Sequence, residues 1–341
     1  MKKICLEMRI MAFVAIAALA ACGNSQSAGS SSSAGTVNLK FDMPVPITSS
    51  WGVGAERFGQ LLAEKSGGRY VLKIFPNSQL SGGSQPQALQ MLQAGDIDVT
   101  IHGSLTWAGG NVRIATPAMP WLFTTWEDAA VVLNGEGGKL LAQIVRQTGA
   151  EPLAFGISGF RQLFNNIRPV KSVADLRGLK IRVPGNSMYI DLFKILGADP
   201  IAMNASELYT ALQQGAVDGQ ENPADMTITQ KFCEVLKYMT VWNYSCEWTI
   251  LSVSNKVWNG LSDADKLIFG EAGRTAMTEQ IAAARERDEI CMKQLVDEYG
   301  IQIVKLTPEE LTAFRNMAKP LYDQYRDVMG TELYRAFGVK E

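Results

Sequence analysis

A single histidine, His102, stands in 341 residues, and no two of the five cysteines have Cys-x-x-Cys spacing. With one imidazole and no paired thiols, no His/Cys/carboxylate set has the spacing of a metal site. A G-x-S-x-G turn and a phosphate-cradling Gly-rich loop are missing too; "GISG", Gly156 to Gly159, falls one residue short of the first. Nothing assembles into a nucleophile, a base and an oxyanion hole, so no enzyme activity, cofactor or metal is expected. Basic tracts are also lacking. The 32 Lys and Arg are offset by 34 Asp and Glu, and no cationic face studded with aromatics appears, so nucleic acid is not an expected partner. No apolar run reaches the roughly 20 residues that a membrane-spanning helix requires.

What the chain does contain begins with a short apolar leader. In "MRIMAFVAIAALAAC", Met8 to Cys22, a basic residue precedes an apolar run and then small residues before a cysteine, the pattern of an export signal over residues 1–21. The tetrad Leu19-Ala20-Ala21-Cys22 resembles the bacterial lipobox, which makes Cys22 the expected lipidation site and mature N-terminus. "GNSQSAGSSSSAGT" follows as a Ser/Gly tether to residue 36, with no apolar face to bury. The body is thus expected outside the cytoplasm, periplasmic or extracytoplasmic, on a leash from a bacterial membrane. At about 300 residues it is long enough for two lobes with separate cores. Cys5 leaves with the leader; Cys233, Cys246 and Cys291 are expected as buried thiols, a Cys233–Cys246 bridge being the alternative.

An internal echo organises the body. "MLQAGDIDVT", Met91 to Thr100, and "ALQQGAVDGQ", Ala211 to Gln220, share the frame Leu-Gln-x-Gly-x-(Ile/Val)-Asp. In each, a helix, residues about 83–93 and 205–213, meets a Gly suited to a left-handed C-cap, and a β-prone segment follows. Strands precede both ("YVLKIFP" and "ADPIAM"), so two strand–helix–strand units of matching design predict two similar α/β lobes rather than one large sheet. Between and beyond them, Pro152 to Ile157 reads as a strand ending in a Gly-Phe-Arg crossing. Leu261 to Gly300 reads as a long solvated helix packed across both lobes, and the remainder of the chain as further helix.

The stretch "GLKIRVPGNSMY", Gly178 to Tyr189, is a short apolar strand with a guanidinium inside it. If Leu179, Ile181 and Val183 point to one side, Lys180 and Arg182 point to the other, and Arg182 lies at the carboxyl end, where open α/β sheets hold ligands. Arg161, after the Gly159-Phe160 turn, flanks the same unit. Arg presents a planar fork that matches a carboxylate in two parallel bonds, as Lys does not. No acid stands within local reach of Arg182, so the pair is read as gripping an anionic solute rather than as a core ion pair. His102, after "DVTI", is either a satisfied structural histidine or a ligand contact. Ser104 close by and Asn186, with Tyr189, at the start of the next helix, are further candidates.

The blocks "GFRQLFNNIRPVKSVADLRGLKIRVPGN", "ADPIAMNASELYTALQQGAVDGQENP" and "IFPNSQLSGG" resemble the solute-binding subunits of tripartite ATP-independent periplasmic (TRAP) transporters, the DctP type, from about Lys40 to about Tyr325. The resemblance implies an α/β fold of periplasmic-binding-protein type II architecture, two lobes around a cleft with a long helix spanning both. It also implies closure over a small organic acid that is handed to a membrane permease. The family's carboxylate-holding arginine falls on Arg182, its second arginine on Arg161 and its ligand asparagine on Asn222. Trp51 and Trp248 fall where members line the far wall. Asn204 belongs to "MNASE", where sialic-acid binders carry the aromatic of "MAFSE", and Gly103 replaces an acid, so sialic acid is not the expected ligand. Lobe I is expected from 37–158 with about 248–287, and lobe II from 159–247 with about 288–341. The alternative keeps the fold but serves an ATP-driven importer of an amino acid or other polar solute, with Glu221 or Glu247 meeting its ammonium.

Overall fold

The computed structural model describes residues 35–339; the leader, Cys22 and all but the end of the tether lie outside the described residues. Nine strands occur among them: β1 (Val37–Asp42), β2 (Tyr70–Phe75), β3 (Val99–Gly103), β4 (Ala150–Asn165), β5 (Lys180–Val183), β6 (Asp199–Ala202), β7 (Gly219–Asn222), β8 (Tyr238–Ser254) and β9 (Gln302–Lys305). They form one mixed sheet in the order β2-β1-β3-β8-β4-β7-β5-β6, with β9 beside β8, and not separate sheets as expected, because the long strands β4 and β8 pair with each other and carry the ladder from one half into the other. β1 pairs in parallel with β2 and β3, and β5 in parallel with β6 and β7. β3 then meets β8 antiparallel, β7 meets β4 antiparallel, and β4 and β8 run along each other. Read from either edge, the order is the same: second strand, first strand, third strand, long strand.

The echo in the sequence is therefore a structural repeat. The helices Gln85–Ala94 and Ala205–Gln213 run out at Gly95 and Gly215, both with positive φ, 78° and 69°. The chain thereby turns back under the helix, and Asp98 and Asp218 arrive at the same place. Asp98 accepts the amide of Lys40 at 2.7 Å and Asp218 that of Lys180 at 2.8 Å, each pinning the first strand of its own unit. These contacts align "LKFDMP", Leu39 to Pro44, with "LKIRVP", Leu179 to Pro184, a second echo that sequence inspection passes over.

β4 is longer than the expected strand, because the glycines at 156 and 159 bend it without ending it. The β4–β8 ladder shifts register at Pro152/Ala154, Ile157/Gly159 and Arg161/Leu163. Gly159 adopts φ 126°, a region that L side chains avoid. Backbone groups of Ile157 beside this irregularity are taken up by Gln280, whose Oε1 accepts the amide at 3.1 Å and whose Nε2 donates to the carbonyl at 2.9 Å. Gln280 belongs to the helix Asp263–Asp297, 35 residues long and capped by Ser262, which lies over the crossing strands. Its small residues Ala272, Gly273 and Ala276 are buried there.

Two further helices, Pro308–Met329 and Thr331–Ala336, complete the chain. Their buried faces close the cores: Phe314 and Leu321 pack with Tyr189, Phe193 and Trp242, together with Leu105, Ala115 and Met119. Leu333 and Phe337 join Trp107, Phe123 and Trp248. Cys233, Cys246 and Cys291 are buried free thiols, as expected, with no bridge between the first two.

Candidate functional site

β5 stops at Val183 because Pro184 has no amide to extend the ladder. Arg182, one residue earlier, is 3% exposed. Its Nε and Nη2 both donate to the carbonyl of Met203, at 3.0 and 2.7 Å, which holds the guanidinium plane fixed. It makes no ion pair among the described residues. Burial lowers its pKa to about 10, with the field of Glu221 opposing the drop, so the group carries its charge at neutral pH. A buried cation without a partner is an expensive arrangement that a bound anion would relieve.

Arg161 has the opposite surroundings. Its Nε binds Glu221, Nη1 donates to Glu247 Oε2 at 2.6 Å, and Nη2 reaches the Glu221 carbonyl, Glu221 Oε1 and Asn222 Oδ1 at 2.7, 2.9 and 3.0 Å. Burial works against its charge, but the two carboxylates outweigh it and raise the pKa well above the ordinary value. Tyr244 also donates to Glu221, whose carboxylate is wholly buried behind Arg161. Glu247 is different: it reaches the cavity, and burial pushes its pKa up while Arg161 draws it back down.

The cavity has two connected parts that share Gln85, Thr106, Arg182 and Pro184. The inner part, about 50 Å³, is lined by Trp51, Gly103, Ser158, Arg161, Asn222 and Glu247 among others. The outer part, about 230 Å³, is lined by Leu105, Gly109, Met203 and Asn204. Trp51, in the first turn of the helix Ser50–Lys65, is set by an Nε1 bond to Ser158 Oγ at 3.2 Å. Arg182, Arg161, Asn222, Trp51 and Asn204 therefore come together around one space.

Five candidates do not reach it, and the period of the strand explains two of them. Glu247 faces the cavity, so Trp248 faces the other way; it is wholly buried, stacked on Phe123 and packed on Phe155 and Phe337. Gly103 faces the cavity, so His102 is turned away, with Nε2 3.2 Å from Asp42 Oδ2 and no exposure. Ser104 is buried without a hydrogen-bond partner and does not line the space. Asn186 is the N-cap of the helix Ser187–Ile195, accepting from the Met188 amide at 3.1 Å. Tyr189 lies in the core.

Sequence reading passes over Ser158, Gln85 and Thr106, and weighs Glu247 only as a partner for an ammonium. A signal for Glu247 exists: like Arg182, it is a charge set in an apolar strand, "SCEWTIL". Small polar residues such as Thr106 and Ser158 carry no such signal.

Comparison with known proteins bears on this site. Residues 41–327 match the model of the DctP family, bacterial extracellular solute-binding protein, family 7. The chain is 33% identical over 233 residues to the 2,3-diketo-L-gulonate-binding periplasmic protein YiaO of Escherichia coli, covering 68% of this chain and 70% of that one. It is 30% identical over 300 residues to the C4-dicarboxylate-binding periplasmic protein DctP of Rhodobacter capsulatus, covering 87% and 89%. Among solved structures, a TRAP periplasmic solute-binding protein from Polaromonas bound to D-erythronate superposes with a TM-score of 0.84 at 30% identity, over 89% of this chain and 99% of that one. The α/β, two-lobe architecture is that of these proteins, which transport solutes and are not enzymes. Among the described residues no helix is long and apolar enough to cross a membrane. The chain belongs to the DctP family of periplasmic solute-binding proteins of TRAP transporters, which bind small organic acids.

Proposed function

We propose that this chain captures its organic acid through a two-pronged bond between the solute carboxylate and Arg182, and hands the solute to a TRAP permease in the membrane. The observation that carries the reading is a buried guanidinium, fixed through two of its nitrogens, that faces a cavity with no carboxylate of the protein against it. A carboxylate there supplies the missing counter-charge, and each charged hydrogen bond contributes about 1.5–3 kcal/mol. Asn222 and Trp51 complete the wall, and Arg161 holds Glu221 behind it and Glu247 at its face. Residues 37–158 with about 248–287, and 159–247 with about 288–341, are proposed to close on the solute as two lobes, water leaving as they do. The chain is further proposed to be a lipoprotein attached at Cys22; membrane partitioning that persists in Cys22→Ser would overturn that part.

The test is calorimetric titration of small monocarboxylates and dicarboxylates into wild type and Arg182→Lys. Lys keeps the charge but loses the fork, so the tightest-binding acid is expected to weaken by about 100-fold, or about 2.7 kcal/mol. Wild-type affinity in that variant would remove Arg182 from the site.

A further inference from the structure

Glu247 is the one acid that lines the inner part of the cavity among the described residues. Its side chain is 8% exposed. Oε2 is taken by Arg161 Nη1, whereas Oε1 has only a long contact of 3.4 Å from the Leu105 amide and keeps acceptor capacity. Arg161 in turn uses Nε and Nη2 fully, so one N–H on Nη1 is left. The inner wall thus offers one acceptor and one donor side by side. A hydroxyl accepts and donates at the same oxygen and fits both. A carboxylate fits the donor but faces the Glu247 charge; an ammonium fits the acceptor but faces the guanidinium. The charges agree: Arg161 with Glu221 and Glu247 carries a net charge of −1 and Arg182, unpaired, carries +1, so one anionic group finds its counter-charge at Arg182 while a second would meet the surplus negative charge at Glu247.

We propose that Arg161 and Glu247 form a hydroxyl-reading subsite, so that the solute is a small monocarboxylate bearing a hydroxyl, and neither a dicarboxylate nor an amino acid. This rests on Arg182 holding the carboxylate. Gly103 belongs to the subsite as well, because a Cβ at that position would lie 2.1 Å from Glu247 Oε1. Only a residue without a side chain lets the carboxylate stand where it does.

The experiment is titration at pH 7.5 with four C4 probes: erythronate, butanoate, succinate and 4-aminobutanoate. Wild type is expected to bind erythronate at least 30-fold tighter than the other three. Glu247→Gln turns an acceptor into a mixed donor and acceptor, so erythronate is expected to weaken at least 10-fold while succinate strengthens. Gly103→Ala, which displaces the same carboxylate, is expected to reduce the erythronate preference and serves if Glu247→Gln does not fold. Succinate or 4-aminobutanoate binding as well as erythronate, no binding of any probe, or a preference unchanged in both variants overturns the subsite. Where a probe binds without that preference and Arg182→Lys weakens it about 100-fold, the carboxylate grip stands and only the subsite falls; where Arg182→Lys binds like wild type, the grip itself falls.

Discussion

Arg161 and Arg182 are the same residue type, at the same depth, with opposite fates. Arg161 satisfies two acids, Glu221 and Glu247, that lie 60 and 86 positions away in the chain. No local reading of "GFRQLF" sees them: Arg161 does line the cavity, but the ion-pair network that holds it there is hidden from the sequence. Arg182 was legible because its isolation is local: an apolar strand, a proline after it, and no acid in register. The same isolation predicts a stability effect. Removing an unpaired buried cation relieves a desolvation cost, whereas removing one member of a buried pair leaves an uncompensated charge at about 3–5 kcal/mol. Arg182→Met, similar in length and uncharged, is therefore expected to unfold in urea at the same midpoint as the ligand-free wild type or a higher one, even as it abolishes binding. A lower midpoint, by more than about 1 kcal/mol of stability, would mean that the bonds to the Met203 carbonyl matter more than the burial of charge.

At the level of elements, helices with periodic faces and glycine exits were readable to within a few residues, Ala205–Gln213 among them. The long crossing strands were not. The glycines of "FGISGF" imitate a turn, and the partner that keeps β4 continuous, Gln280, comes from a helix more than a hundred residues on. That helix carries its own titrating group. Asp288 is pushed up to about 7, first by burial, then by the charges of Asp225 and Glu289, and one of its oxygens has no partner. A carboxyl whose folded pKa is raised favours the native state while protonated. Its contribution is complete below the unfolded pKa near 4 and is lost as pH rises through about 7. Glu247, also raised by burial, acts in the same direction. The denaturation midpoint of the wild type is thus expected to fall between pH 6 and pH 8. Asp288→Asn should flatten part of that slope and be the more stable protein at pH 8. Parallel slopes in the two proteins would show that Asp288 does not titrate in this range.

Across the whole molecule, the repeat places Asp42 where its counterpart has Arg182, and His102 where its counterpart has Asn222, by the shared register of Phe41 on Val99 and Ile181 on Gly219. In one unit the strand-tip charge meets a histidine of its own neighbouring strand and is sealed. In the other it faces the cavity. One duplicated design is thus sealed in one half and open to the cavity in the other, a division that neither strand announces by itself. Bonds join the two halves across the cavity: Ser206 Oγ donates to the Gly83 carbonyl at 3.0 Å, and a buried one is made by Asp225. It follows Asn222-Pro223, and its Oδ2 accepts the amide of Ser50, next to Trp51, at 2.9 Å, while Oδ1 pairs with Arg287 of the long helix at 2.7 Å. Asp225 is buried, and its bond to Ser50 ties the start of a first-unit helix to a second-unit loop. If the units part when empty, that bond must break, so it favours the closed form whether or not solute is present. Asp225→Ala is expected to show a larger radius of gyration than wild type in X-ray scattering without solute, from a base of about 19 Å for a compact body of this length. It should return to the wild-type value at saturating solute and bind more weakly, because part of the binding energy is then spent on closure. Equal radii and equal affinities would mean that the Ser50 bond plays no part in holding the units together.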